Sequence, residues 1–169
     1  LSYNVGSPVI GNPAGNVTIV EFFDYRCGYC KRVFPTIQAL LEEDGNIRYV
    51  LKELPILGPD SLFASQAALA VWNTTPEQYL PFHTALMASR GSLNAEKIFT
   101  IAEDLGLDKI AITKNMKNES VNNELNKNAE LSERLDITGT PAFIIGDQLS
   151  PGAVSMQEIK RMVAPARKG

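Results

Sequence analysis

The segment Val17-Thr18-Ile19-Val20-Glu21-Phe22-Phe23-Asp24-Tyr25-Arg26-Cys27-Gly28-Tyr29-Cys30 joins a strand to a helix through a pair of cysteines. Its first half is a nearly continuous apolar run, the pattern of a strand buried on both faces. Asp24-Tyr25-Arg26 turns the chain, and residues 31–43 carry Val33, Phe34, Ile37, Leu40 and Leu41 at helical spacing. Pro35 lies inside that helix and is expected to kink it. The chain holds 2 cysteines, and both sit in this junction with two residues between them. A C-x-x-C between a strand and a helix is the placement of a redox-active dithiol.

Bulk properties leave the cysteines free for chemistry. A chain of 169 residues with 44% hydrophobic and 21% charged residues reads as one domain that buries its core without disulfide staples. The net charge of −3 gives no basis for a nucleic-acid partner or an anionic membrane surface. No apolar run approaches the length of a membrane-spanning helix, so membrane insertion is not expected. No basic start followed by an apolar core marks a signal peptide, and the beginning at Leu1 reads as a mature or truncated form.

Outward from the junction, residues 1–16 are rich in Gly, Pro and Asn and read as an extended leading segment, with turns at Gly11-Asn12-Pro13 and Ala14-Gly15-Asn16. Gly45-Asn46 ends the first helix, and residues 47–52 form a second strand that stops at Glu53-Leu54-Pro55. Residues 59–134 then read as helical throughout. A first helix spans 61–72. Thr75 as cap and Pro76 at the first helical position start a second, which runs to 88 and is broken by Arg90-Gly91. Asn94 caps a third, stopped by Gly106. A weaker helix covers 108–118, and a longer one covers 119–135 with Val121, Leu125, Ala129, Ser132 and Leu135 on one face. Strand character returns at 141–145, followed by the turn Gly146-Asp147-Gln148 and a partner strand at 149–153. Ser155 and Glu158 have capping-box spacing before a last helix to 163, and a polar tail begins at Pro165. The order is βαβ, a helical block, then ββα. It predicts an α/β fold with a central mixed β-sheet flanked by helices, residues 1–58 and 136–169 forming one discontinuous domain and 59–135 an inserted helical subdomain.

At a helix start, Cys27 meets unpaired backbone N–H groups and the positive end of the helix dipole, both of which favour the thiolate. Cys27 is therefore expected to be the exposed nucleophile, and Cys30, one turn inside, the more buried resolving thiol. Two other readings of the pair are a structural disulfide and half of a zinc site. A bridge closing so short a loop stabilises little, and zinc needs about four ligands where the chain adds only 1 histidine. Two thiolates also suit Cu(I) as a secondary ligand. Glu21 interrupts an apolar strand, so it is either a buried proton carrier for Cys30 or a strand-end acid that reaches solvent. Lys52 on the neighbouring strand is its expected ionic partner, or a solvated lysine. His83, inside the helical block, reads as a packed or surface histidine, and Trp72, Phe63, Tyr79 and Phe82 as core of that block. Tyr29, between the cysteines, is expected to be exposed and to touch substrate.

Several motifs together resemble the thioredoxin fold in its DsbA-like branch, with its helical insertion, and most closely the Com1/ScsC-type group. They are Ser7-Pro8-Val9-Ile10-Gly11, Glu21 to Lys31, Lys52 to Gly58, and Thr138-Gly139-Thr140-Pro141-Ala142-Phe143. The resemblance implies a periplasmic or secreted bacterial thiol–disulfide oxidoreductase acting on disulfide or dithiol proteins, without a cofactor, and reset by a membrane redox partner. It implies that Cys27, Cys30, Glu21, Thr140 and Pro141 are catalytic, that the Thr140–Pro141 bond is cis, and that Gly28, Tyr29, Thr140 and Pro141 contact substrate by strand addition. The best-known DsbA oxidants carry Pro-His between their cysteines. Gly28-Tyr29 instead matches DsbC-type isomerases, which implies a milder redox role, with isomerase work or Cu(I) binding at Cys27 and Cys30 as alternatives. Isomerases of the ScsC group are oligomers joined by an N-terminal segment, so an oligomer is expected only with such a segment ahead of Ser7.

Overall fold

The computed structural model describes residues 6–168. The first five residues of the leading segment, the region ahead of Ser7 where an oligomerising segment would attach, and Gly169 of the tail lie outside the described residues. The centre is a five-stranded mixed sheet in the order β1-β3-β2-β4-β5. Its strands are β1 (Val9–Gly11), β2 (Val17–Phe23), β3 (Ile47–Glu53), β4 (Ala142–Ile145) and β5 (Gln148–Pro151). β2 and β3 run parallel, which requires a crossover, and α1 (Gly28–Glu43) supplies it. The other pairings are antiparallel. Between β3 and β4 come α2 (Pro59–Thr74), a 3₁₀ turn (Pro76–Gln78), α3 (Tyr79–Ala88), α4 (Ala95–Asp104), α5 (Lys109–Asn115) and α6 (Glu119–Arg134), and α7 (Met156–Lys168) closes the chain.

The apolar runs of the strands are explained by helices on both faces. One face presents Ile19, Phe23, Tyr49, Leu51, Phe143 and Ile145 to Val33, Ile37 and Leu40 of α1 and to Ile159 and Val163 of α7. The other presents Val20, Phe22, Val50, Ala142 and Ile144, covered by Leu131 and Leu135 of α6 and by Ile137. The fully buried among them, such as Ile19, Phe22, Phe23, Ile37 and Phe143, each contribute about 1.5–3 kcal/mol of transfer free energy. The alternation also fixes where the polar residues of these strands must point.

Where the structure departs from the sequence pattern, a nearby contact accounts for it. The leading segment contains β1, which its Gly and Pro content hides. β1 pairs antiparallel with β3, Ile10 opposite Tyr49, and Gly11 leaves it at φ +73, where a Cβ would lie 2.6 Å from the Ile47 carbonyl. α1 begins at Gly28 rather than at residue 31, so the cysteine pair lies within its first turn. Thr75 does not cap the following helix with its side chain. Its hydroxyl turns back to the Val71 carbonyl at 3.4 Å. α5 is shorter than expected, and β5 ends at Pro151. α7 continues through Pro165, its last turn held by Arg167 Nη2 on Asp44 Oδ2 at 2.6 Å and Nε on Asn16 Oδ1 at 3.0 Å. The Asn94 cap and the Ser155/Glu158 capping box form as expected.

The buried face of α6 is Val121, Glu124, Leu125, Asn128 and Ser132, with Ala129 exposed. Two polar residues turn inward because β3 and Ser7, ahead of β1, offer partners. Lys52 Nζ donates to Ser7 Oγ at 2.7 Å and lies 3.8 Å from Glu124 Oε1. Ser7 Oγ donates to that same carboxylate, and Asn128 Nδ2 donates to the Glu53 carbonyl at 2.9 Å. Removing one member of a buried ion pair strands the other. Glu124→Ala is expected to lower unfolding free energy by about 3–5 kcal/mol in urea titrations, and Glu124→Gln, which still accepts from Ser7, by less.

Candidate active site

β2 ends at Phe23 and the chain turns through Asp24 into α1. Cys27 is the N-cap, at φ −76 and ψ 116, and its sulfur accepts from the Cys30 N–H at 3.3 Å. A helix leaves its first N–H groups without backbone partners, so this sulfur takes the place that a Ser or Asp oxygen usually fills. Cys30 is fully buried, and Cys27 is 6% exposed. The expected exposed nucleophile therefore shows only a rim of its surface, because Thr140 closes over it. Cys27 Sγ lies 3.3 Å from the Thr140 carbonyl oxygen, and the Thr140–Pro141 bond is cis. Gly28 opens onto free space, with nothing within 4 Å of where a Cβ would stand. Tyr29 is 59% exposed, and the Arg32 guanidinium lies 4.8 Å from its ring centre.

The two thiols are driven apart electrostatically. Cys27 is lowered to about 6, first by the hydrogen bond from the Cys30 side chain, then by the Thr140 side chain and the backbone N–H groups of Cys30 and Tyr29, against partial burial. Cys30 is raised far above the usual thiol range, chiefly by Cys27 and by burial, with the Glu21 charge adding to the rise. Glu21 itself is buried, and burial raises its carboxyl to about 8 against the hydrogen bond from Tyr49. That bond, Tyr49 Oη to Glu21 Oε1, is 2.7 Å.

The expected Glu21–Lys52 pair does not form. Glu21 stands in register with Leu51 and Phe22 with Lys52, so alternation points the lysine to the opposite face, toward Ser7 and Glu124.

Three further residues build the site and were not singled out from the sequence. Asp24 accepts from Arg26 N–H at 2.7 Å and Ser61 Oγ at 2.8 Å on one oxygen, and from Ile56 N–H at 2.9 Å and Leu57 N–H at 3.0 Å on the other. It ties the turn before Cys27 to the segment after β3. Glu53 accepts from Tyr25 at 3.1 Å, Tyr79 at 2.9 Å and Ser65 at 2.7 Å, and burial raises it to about 8. Tyr25 Oη also meets His83 Nδ1 at 2.8 Å. His83 is thus a packed histidine, set edge-on to Phe23 and Phe34 and lowered to about 3 by burial. Its Nε2 has no partner among the described residues. Tyr79 and Phe82 are buried core as expected, with Phe63 and Trp72 at its margin. Lys31, the residue after the pair, reaches across to the end of α3, donating to the Ser89 and Leu86 carbonyls at 2.8 and 3.1 Å. The signal for Glu53 was present as an acid at the end of an apolar strand, but its partners lie in three other elements. Among the described residues no group of three or more His, Cys, Asp and Glu gathers as a metal site.

With this geometry in place, residues 18–164 match the DSBA-like thioredoxin domain. The chain belongs to the DsbA-like thioredoxin-fold family. A thioredoxin-like oxidoreductase from Silicibacter pomeroyi DSS-3 is 40% identical, with a TM-score of 0.94 over 98% of this chain and 95% of that one. The catalytic domain of Proteus mirabilis ScsC is 32% identical, with a TM-score of 0.90 over 100% and 93%. Disulfide bond formation protein D of Bacillus subtilis is 26% identical over 97% of this chain and 78% of its own length. The resemblance to the DsbA-like branch and to ScsC is borne out, and the chain is a thiol–disulfide oxidoreductase of that kind.

The titrations give two checks. Alkylation of the reduced protein is expected to follow a single thiolate with a midpoint near pH 6 at Cys27, while Cys30 stays unmodified, read by mass spectrometry of the labelled peptides. For Glu21 the folded state keeps a proton that the unfolded chain loses near the ordinary value of 4.5, up to about 8. The stability from that retained proton is complete below 4.5 and lost as pH rises toward 8. Reduced wild type is therefore expected to lose stability relative to Glu21→Gln by about 1.4 kcal/mol per pH unit inside that window, and by no more above it, in urea titrations of both proteins.

Proposed function

We propose that the chain exchanges disulfides with extracytoplasmic proteins through Cys27 and Cys30. The observation that carries this is the Cys27 sulfur, held at the N-terminus of α1 with its thiol lowered to about 6 and 3.3 Å from the Thr140 carbonyl. At neutral pH Cys27 is mostly thiolate. It attacks one sulfur of a substrate disulfide, forming a mixed disulfide and releasing the other substrate sulfur as a thiolate. Cys27, the largest cause of the high Cys30 pKa, is then no longer an anion, so the Cys30 proton becomes available. Loss of the Cys27 charge also removes one cause of the raised Glu21 carboxyl, and the ionised fraction of Glu21 takes that proton. Cys30 attacks Cys27 Sγ, the substrate leaves with two thiols, and the pair is left as a disulfide. Run backwards, the same steps oxidise a substrate dithiol.

Substrate docking falls to the half-buried Thr140, where an extended chain can pair with backbone beside Pro141, while Gly28 and Tyr29 border the approach. Each turnover leaves the pair in the opposite redox state, and a membrane-bound redox partner resets it. Disulfides persist in oxidising compartments, which supports a periplasmic or secreted setting. Insulin reduction with dithiothreitol tests the whole reading. Wild type is expected to accelerate precipitation, Cys27→Ser to fall to background, and Glu21→Gln to slow turnover by about 10²-fold. A wild type no faster than Cys27→Ser would overturn it.

A further inference from the structure

The helices between β3 and β4 form an open cavity of about 530 Å³ where α2, α4, α5 and α6 converge. Its apolar walls are Phe63 of α2, Phe99 of α4 and Met116 at the end of α5. The two aromatic rings meet edge to face at 5.4 Å and are only partly buried. The local sequence explains the gap. α5 has 7 residues, and its positions 109 and 113 place Lys and Thr where apolar side chains would fill the space. The Thr113 hydroxyl is turned back to the Lys109 carbonyl at 2.8 Å. The volume lies within the roughly 300–1,000 Å³ range of small-molecule sites. No residue of the cysteine pair or of the Thr140 edge lines it.

Charge singles out an occupant. Lys109 and Lys117 both line the cavity, and no acidic residue does. The Lys109 ammonium lies 4.8 Å from the Phe99 ring centre. Among the described residues neither lysine has a carboxylate within ion-pair distance, on a chain whose net charge is −3. Two uncompensated cations beside an aromatic and thioether wall complement a molecule with one anionic end and an apolar body. One of the two ammonium groups is already shared with a ring face, so a single negative charge, as on a carboxylate, satisfies the pair. We propose that this cavity is a binding site for an amphipathic monocarboxylate, separate from the thiol–disulfide centre.

Decanoate, below its micelle concentration, is the probe, titrated into the full chain by calorimetry with decanol as the uncharged control. The proposal expects one saturable site per chain and a rise in melting temperature with decanoate. Decanol and the Lys109→Gln/Lys117→Gln double variant should each weaken binding by about tenfold or more. Met116→Trp, which fills the cavity, should abolish binding while insulin reduction stays at the wild-type rate. The two lysine changes are at exposed positions, so that variant keeps the test sound even where Met116→Trp unfolds. The proposal is overturned by the absence of saturable binding, by equal affinity for decanoate and decanol, or by affinity unchanged in the double variant. It is also overturned by sedimentation showing that a second copy of the chain covers this face and excludes decanoate.

Discussion

The site depends on one sulfur accepting a free N–H from the first turn of α1. The 3.3 Å contact from the Cys30 N–H to Cys27 Sγ joins helix geometry to chemistry, because the group that caps the helix is the group that ionises. Other elements hold that contact in place. Asp24 fixes the turn before it and fastens the turn to the segment after β3. Lys31 anchors the far side of the helix start to the end of α3. The Thr140 carbonyl approaches from the cis peptide ahead of β4. A sulfur placed this way is lowered to about 6 by Cys30, Thr140 and the backbone N–H groups at the start of α1.

The site also relies on carboxyl groups whose environment opposes their charge. Glu21 and Glu53 are both raised to about 8 by burial, yet their surroundings differ. Glu21 has one hydroxyl donor, Tyr49, and senses the cysteines. Glu53 has three, from Tyr25, Tyr79 and Ser65. An acid with one donor beside a thiol pair is suited to gain and lose a proton. An acid saturated by three hydroxyls from different elements is suited to hold them together. Two glutamates with the same titration direction thus serve different ends, and only the count and origin of their partners separates them.

Much of this was legible in the sequence because it is local. β2 was read with its observed bounds from an apolar run, the Asn94 cap and the Ser155/Glu158 box from residue spacing, and the dithiol from two cysteines at a strand–helix junction. What was missed involves partners far along the chain. β1 is a strand only because β3 lies beside it. Lys52 was assigned to Glu21 by proximity between neighbouring strands, but alternation turns it to Glu124, which lies on a helix far downstream. The Glu53 cluster joins residues 25, 53, 65, 79 and 83, and no single window contains enough of them to show it. On α6 the apolar pattern suggested Ala129 as inward, whereas Glu124 and Asn128 turn inward instead because polar partners wait for them.

Lys52 and Glu53 are consecutive on β3 and point to opposite faces, and both find partners in residues 59–135. Lys52 has Glu124 on one side of the sheet, and Glu53 has Ser65 and Tyr79 on the other. In chain order these helices lie between β3 and β4, but they cannot be excised as a unit. Joining β3 directly to β4 would leave a lysine and a glutamate facing apolar ground on both sides of the same strand, each without its main partner. A derivative trimmed of these helices is therefore expected to need other residues at 52 and 53. The tie between the sheet and these helices is thus carried by two consecutive residues of the strand before them.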